Sequence, residues 1–416
     1  MVRDFSSASI ATQRFEADEF LISKFSNIKL IGHGEFSNVY EVEFQKKKYA
    51  IKKITKKLNY YNDKEKIIDT SENSDSISTY LNISSKEKYC INEEIEILNQ
   101  VKKKKNLIPG SENIINYIDF FSTNVHNQTE DYIITDFYDN GSLDKFLISN
   151  GSRDGLEEFR IWKIFIELTM GLYYLHSNDI IHLDLKPANI FISITGKLKI
   201  GDFGLSTKLP LKNFKYCERE GDREYIAPEI LLRSEYSKAA DIFSLGLIIF
   251  EIAANIYLPD NGPSWQKLRS GDLSDVGKLG IIDEVNQREN ENKSSYICHK
   301  NIENDGSYEE ETNSDNNGDF AYSINENDKY FPTFVKDGKT LDLLVHWMIE
   351  PNSSNRPSCK ELIRLYEFQM VEARRKYDAT VYEGEYGPLA CEKDLSSLEG
   401  KFPKISDCYE IEKFKK

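Results

Sequence analysis

Cysteine is scarce and scattered. The six cysteines among 416 residues (Cys90, Cys217, Cys298, Cys359, Cys391 and Cys408) form no C-x-x-C pair. That spacing excludes a zinc ribbon and a disulfide-stapled scaffold, and a reducing compartment follows as the default. Basic charge is in deficit too: 54 Lys and Arg stand against 69 Asp and Glu, a net charge of −15. A general binder of nucleic acid or of an anionic membrane carries the opposite sign, so neither is expected as a partner. The N-terminal MVRDFSSASI has no apolar signal core. The longest apolar run, Ile242 to Ala254, is too short to span a bilayer and reads as a buried helix. No internal repeat is evident. Hydrophobic residues make up 39%, low for a fully packed chain of this length, so part of it is expected to stay outside the core.

What is present sorts along the chain. Residues 1 to about 25 are polar with scattered aromatics and read as a loosely attached lead-in. From Ile28, "IKLIGHG", "SNVYEVEF" and "KKYAIKKI" alternate apolar and polar residues between short turns, the pattern of an antiparallel meander. A Lys-, Asn-, Asp- and Ser-rich stretch at about 58–86 reads as an insertion. "YCINEEIEILNQV" then has helical spacing at Ile91, Ile95, Leu98 and Val101. "NIINYIDFFS" and "DYIITDFY" read as two more strands. After "NGSLDKFL" the chain turns helical, with a long period in "FRIWKIFIELTMGLYYLHSN" and further helices in "TLDLLVHWMIE" and "SCKELIRLYEFQMVEARRK". The acidic, Asn-rich segment at about 283–329 has too little apolar surface to order itself and is expected to be disordered.

The chemistry concentrates in "HLDLKPANIF", His182 to Phe191, followed by "GDFG". Phosphoryl transfer needs an aligned hydroxyl, cations on the phosphates and groups that hold those cations. Asp184 can orient the hydroxyl and accept its proton, and Lys186 can neutralise charge on the transferred group. Asn189 and Asp202 are oxygen ligands of the kind magnesium takes. Upstream, Gly32 and Gly34 in "IGHGEFSNVY" permit close backbone approach to phosphates; the usual third glycine is Ser37. Lys52 of "YAIKKI" needs an acidic partner, with Glu94 as candidate and Glu93 as alternative. Downstream, Glu229 of "YIAPEI" has a plausible buried partner in Arg356 of "NRPS". Asp241 heads the apolar helix and can cap backbone groups of the 182–189 loop.

The order of these elements resembles the eukaryotic protein kinase family over roughly Phe20 to Tyr377, interrupted by the two insertions. The resemblance implies an α+β, two-lobed fold: a small antiparallel β lobe with one main helix, and a large, mainly helical lobe. It implies residues 1–25 as lead-in, 26–138 as small lobe and hinge, 139–377 as large lobe and 378–416 as C-terminal tail. ATP and Mg2+ are the implied cofactors. Ile31, Gly32, Gly34, Val39, Ala50, Lys52 and Glu94 would line the nucleotide site, with Thr135 as gatekeeper and Asp136 to Tyr138 as the hinge.

"GEFSNVY", "EGDREYIAPE" (Glu220 to Glu229) and "NIYLPDNGPSWQKLRSGDLSD" (Asn255 to Asp275) resemble the Wee family of mitosis-inhibiting kinases, its fungal members above all. "ARRKYDATVYEGEYGP" is similar to the segment that follows their kinase domain. The implied act is phosphorylation of the tyrosine in the glycine-rich loop of a cyclin-dependent kinase. That kinase, in its cyclin complex, is then the protein substrate, and a soluble enzyme of nucleus and cytoplasm is expected. Serine/threonine kinases usually carry threonine at the position of Asp222, and an Asp222–Lys186 ion pair is expected to reshape the docking floor. Leu183 stands where many kinases carry an arginine that binds an activation-loop phosphate, so activity without that phosphate is expected. Two other readings remain open. One is a serine/threonine kinase of the type acting on a translation initiation factor; the other is a pseudokinase scaffold. Trp265 and Leu268 are expected to pack on the large lobe rather than touch substrate.

Overall fold

The structure is a computed structural model and describes residues 18–33, 37–54, 91–125, 128–150, 155–211, 220–274, 339–374, 398 and 400–410. Both insertions and Gly34 lie outside them. The chain divides into two compact units. One joins the residues up to 72 with 116–137; the other joins 73–115 with the chain from Tyr138 onward.

The first unit is a five-stranded antiparallel sheet of β1 (Ser26–His33), β2 (Ser37–Phe44), β3 (Lys47–Ile54), β4 (Tyr117–Val125) and β5 (Gln128–Asp136), in the order β1-β2-β3-β5-β4. The β2–β3 hairpin turns on two residues, Gln45 and Lys46, both at positive φ (51° and 64°). This is the turn handedness that matches strand twist. Alternation along the strands sorts the two faces. Tyr40, Val42, Ile51 and Tyr132 are buried on one face together with Leu21. The register Val39–Lys52–Ile133 and Ala50–Thr135 puts those residues on the other face.

Leu21 comes from a short helix, α1 (Glu19–Lys24), and Asp18 fixes it. One carboxylate oxygen of Asp18 accepts from Phe20 N (2.9 Å) and Leu21 N (3.2 Å), an N-cap. The other takes Lys53 Nζ and the Tyr132 hydroxyl, each at 2.6 Å. Burial and the carboxylates of Asp18 and Glu130 push the Tyr132 phenol far above its ordinary value. Residues 18–25, read from sequence as part of a loose lead-in, are therefore anchored to the sheet. The signal was legible as an Asp directly ahead of "EFLI".

The second unit is mainly helical. Helix α2 (residues 91–104), expected within the small lobe, sorts with this unit. Tyr174 donates its hydroxyl to Val101 O (2.8 Å), and Lys208 pairs with Glu96 (2.6 Å). α3 (Leu143–Asn150) precedes α4 (Glu158–Ser177), most of whose residues are buried. Short strands follow: β6 (Ile180–Ile181), β7 (Ile190–Ile192), β8 (Leu198–Ile200) and β9 (Thr207–Lys208), paired β6–β9 and β7–β8. Then come α5 (Pro228–Arg233), α6 (Lys238–Ala254) and α7 (Gly262–Arg269). No helix among the described residues is long and apolar enough to cross a membrane.

The helix expected over 358–376 is two, Cys359–Ile363 and Tyr366–Arg374. The break has a cause in the C-terminal segment: Pro403 O accepts the Tyr366 N–H at 2.8 Å. Ile405 and Tyr409 of that segment are buried. The Tyr409 hydroxyl reaches Glu350 at 2.6 Å, and its ring stacks on Trp347.

Replacing Asp18 with Ala removes the cap and leaves Lys53 and Tyr132 without one partner. Unfolding free energy in urea is expected to fall by about 1–2 kcal/mol. An unchanged value would mean that this carboxylate does not anchor α1.

Candidate active site

The loop His182–Asn189 is strung between β6 and β7, whose Ile180, Ile181, Ile190 and Ile192 are all buried. Its backbone is held from below by Asp241, in the first turn of α6. One carboxylate oxygen accepts from Leu183 N (2.8 Å), the other from His182 N (2.9 Å) and His176 Nε2 (2.8 Å). Leu183 is bent into the left-handed region (φ 67°), a conformation uncommon for a non-glycine residue. It brings consecutive amides onto one carboxylate. Burial favours the neutral acid at Asp241, but His176 and the His182 N–H outweigh it and hold the carboxyl below its usual range.

His182 is fully buried. Its Nε2 lies 3.0 Å from Gly201 O, and Asp184 N points at its Nδ1 (3.3 Å). A neutral ring protonated on Nε2 satisfies both contacts. Its edge meets the Phe203 ring at 5.4 Å. The loop and the Asp202 turn are thereby tied together.

Asp184 is the centre of the next layer. Its Oδ1 accepts Asp222 N (3.0 Å); its Oδ2 faces Asn189 Nδ2 (2.9 Å) and Lys186 Nζ (3.3 Å). Lys186 also reaches Asp222 Oδ2 at 3.1 Å. Burial works against the lysine's charge, yet Asp184 and Asp222 more than offset it and raise its pKa. Asn189 gives its amide nitrogen twice to Asp184, to the backbone O (2.8 Å) and to Oδ2. The carboxamide oxygen is then the atom offered to a cation. Asp202 is exposed, at φ 59°, with Gly204 N on its Oδ1 (3.3 Å).

Among the described residues no three His, Cys, Asp or Glu side chains gather to hold a metal. Asn189 and Asp202 would offer a cation one side-chain oxygen group each. That set fits magnesium, which takes one or two protein ligands and completes its shell with phosphates and water.

Gly221 lets the following segment lie against this loop, because a Cβ there would collide with Leu183 O. Downstream, Glu229 and Arg356 meet in a fork, 2.6 and 2.8 Å, both buried, with the guanidinium over the Phe243 ring (4.7 Å).

On the first unit's sheet, Val39, Ala50, Lys52 and Thr135 share the face opposite α1, with Gly32 paired to Val39. Ile31 sits at a register shift and is 38% exposed. Asp136 is engaged by Lys47 (2.9 Å) and Asn116 (2.8 Å). In the second unit Glu94 is buried, while Glu93 accepts from the Thr207 hydroxyl. The Tyr138 ring stacks on Phe191 at 5.9 Å.

Sequence reasoning missed three features here. His176 under Asp241 left no signal, since partners 65 residues apart share no local pattern. Trp265 and Arg269 contact the main chain of Arg223 and Glu224. The third is Glu251, 6% exposed, whose Oε2 accepts from the Tyr225 hydroxyl at 2.7 Å. An acid inside "LIIFEIAA" was a readable sign of a buried polar pair.

Burial raises Glu251 most. The Tyr225 bond opposes the rise, and the charges of Glu224, Asp144 and Asp222 add to it, bringing the group from 4.5 to about 8. Between those values the folded chain holds a proton that the unfolded chain has lost, so stability falls as pH rises through that window. Glu251→Gln is expected to flatten this dependence: its thermal midpoint relative to the parent should improve from pH 5 to pH 8. Equal differences at both pH values would refute the assignment.

The protein kinase domain family matches residues 25–366. The chain is 40% identical to the mitosis inhibitor protein kinase SWE1 of Saccharomyces cerevisiae, over 89% of this chain and 46% of that protein. It is 36% identical to the mitosis inhibitor protein kinase wee1 of Schizosaccharomyces pombe, over 92% of this chain and 36% of that protein. Over 31% of the chain and 19% of the other, it is 43% identical to a membrane-associated tyrosine- and threonine-specific cdc2-inhibitory kinase of Caenorhabditis elegans. The chain thus spans less than half the length of these relatives. A domain of this kind works on ATP with a divalent metal. The chain belongs to the protein kinase family, and within it to the Wee type.

Proposed function

We propose that this chain transfers the γ-phosphoryl group of ATP, with Mg2+, to the tyrosine in the glycine-rich loop of a cyclin-dependent kinase in its cyclin complex, and so delays entry into mitosis. The observation that carries this reading is Lys186 shared between Asp184 and Asp222, with a carboxylate at the position where serine/threonine kinases usually have threonine. The names of the relatives supply the target class. Residence in nucleus and cytoplasm belongs to the same reading.

The chemistry follows from the side chains. Asp184 accepts the proton of the acceptor hydroxyl and orients it. Lys186 faces the transferred group with its charge. Asn189 and Asp202 would hold the metal through oxygen. Bound Mg-ATP supplies the phosphoryl group and the cationic charge that neutralises it. Ile31, Gly32, Gly34, Val39, Ala50, Lys52, Glu94, Thr135, Asp136 and Tyr138 would bind the nucleotide, as the family resemblance implies. A tyrosine hydroxyl lies farther from its backbone than a serine hydroxyl, so the floor that supports the acceptor must be set differently. Asp222 does this by drawing Lys186 to itself and lending its N–H to Asp184.

Incubation with a purified cyclin–kinase complex and Mg-ATP, followed by mapping of the product, is expected to find phosphotyrosine in the glycine-rich loop. Asp184→Asn should lower that rate at least about 100-fold. Phosphate confined to serine or threonine would overturn the tyrosine assignment; no phosphate at all, or an unaffected Asp184→Asn variant, would overturn the enzyme reading. Asp222→Thr is expected to reduce kcat/KM on a tyrosine peptide about tenfold, the loss of one charged hydrogen-bonded pair. An intact value would sink the role given to Asp222.

A further inference from the structure

Helix α7 is fastened to the core by Leu268, which is fully buried. Trp265 and Arg269, on the same helix, are aimed at the segment after Asp222. Trp265 Nε1 donates to Arg223 O at 2.8 Å. Arg269 Nη2 donates to the same oxygen and to Glu224 O at 3.0 Å. The guanidinium lies 4.0 Å from the Trp265 ring centroid, and its Nη1 reaches Trp265 O at 3.3 Å. Arg269 is only 7% exposed, so a buried cation is directed at neutral main-chain oxygens. A guanidinium desolvated this far is costly unless its contacts are well formed.

The oxygen that receives both donors belongs to the peptide group joining Arg223 to Glu224. The N–H of that same peptide group, Glu224 N, donates to Asp222 Oδ1 at 3.2 Å. The other oxygen of Asp222 meets Lys186, and the Asp222 N–H meets Asp184. One planar, rigid unit therefore carries α7 on one edge and the Asp222 carboxylate on the other. It cannot rotate without breaking both sets of bonds. Donation into its carbonyl also polarises it and strengthens its N–H as a donor. The path runs from α7 to Asp184 without passing through Leu183.

We propose that Trp265 and Arg269 are positioning residues for the acceptor, holding the 223–224 peptide so that Asp222 keeps Lys186 and Asp184 in receiving geometry. This rests on the phosphotransfer role given to Asp184 but not on the acceptor being tyrosine. Trp265→Phe keeps an aromatic ring against Arg269 but removes the N–H together with part of the indole surface. Acting through the carboxylate, it is expected to lower kcat/KM for an acceptor peptide about fivefold. Arg269→Gln should lower it about twentyfold. KM for ATP should stay unchanged in both.

The decisive measurement is coupling. Trp265→Phe on an Asp222→Asn background should cost clearly less than on the parent, because the arm to Lys186 is already cut and only the Asp222 N–H to Asp184 remains. Fully additive losses, or losses that merely follow a lowered thermal midpoint, would overturn the proposal. Amide hydrogen exchange of residues 222–225 in the full chain without substrate reads the same device independently of turnover. Both variants are expected to speed it at least about fivefold, and unchanged exchange would also overturn the latch. If serine proves to be the acceptor, the cycle is run on that peptide and the same coupling is expected. If no transfer occurs at all, the phosphotransfer reading falls, while the exchange measurement still decides the latch.

Discussion

Asp241 is a carboxylate with almost no exposure to water, and much of the second unit's chemistry hangs on how its charge is satisfied. A buried carboxylate survives only with partners, and these come from the loop it supports: two successive amides and a histidine. The arrangement is reciprocal. Burial works against the charge of His176, and Cys359 and Asp241 more than restore it, so its pKa is raised. The amides of His182 and Leu183 in turn keep their strained turn because the carboxylate is there. A neutral isostere such as Asn keeps only one acceptor oxygen, so it cannot take both the Leu183 N–H and the His182 and His176 donors.

From that support the site rises in layers. His182 links the loop to Gly201, and through it to the Asp202 turn. Asp184 then collects Asn189, Lys186 and the Asp222 amide. A second buried pair, Glu229–Arg356, anchors the far end of the segment, and Arg356 Nε also binds Glu350 O (2.6 Å). Glu350 receives the Tyr409 hydroxyl, so the C-terminal segment is connected by hydrogen bonds to the segment end that Glu229 marks. Most links join an ionised group to main chain or to an opposite charge, while Asn189 and Tyr409 give neutral donors to carboxylates. That is why the network can be buried without destabilising the unit.

The first unit is built on a different plan. Its core is an apolar sheet face sealed by Leu21, and its polar network, Asp18 with Lys53, Glu130 and Tyr132, lies at the rim where α1 meets the strands. The opposite face carries Val39, Ala50, Lys52 and Thr135 in register. Sealing one face with α1 leaves the other lined by mixed side chains, the face to which the proposed nucleotide contacts belong.

The strands β2 and β3 could be read to the residue, because alternation and a two-residue turn are local properties. The long helices were legible for the same reason. Asp184, Lys186, Asn189 and Asp202 stood out because phosphoryl transfer demands those residue types at close spacing in one segment. The break at Arg364–Leu365 was not legible, because its cause, Pro403, lies about forty residues away. Asp18 and Glu251 left traces in the sequence, but Tyr132 and Tyr225 gave those traces their meaning. Local pattern, then, was enough to set β2, β3 and the long helices and to nominate candidate groups for the chemistry. Glu229–Arg356 and Lys186–Asp222 were expected from sequence, but which other buried polar groups meet only the tertiary structure could decide, because their pairing depends on distance in space and on exclusion of water, and neither is written in sequence spacing.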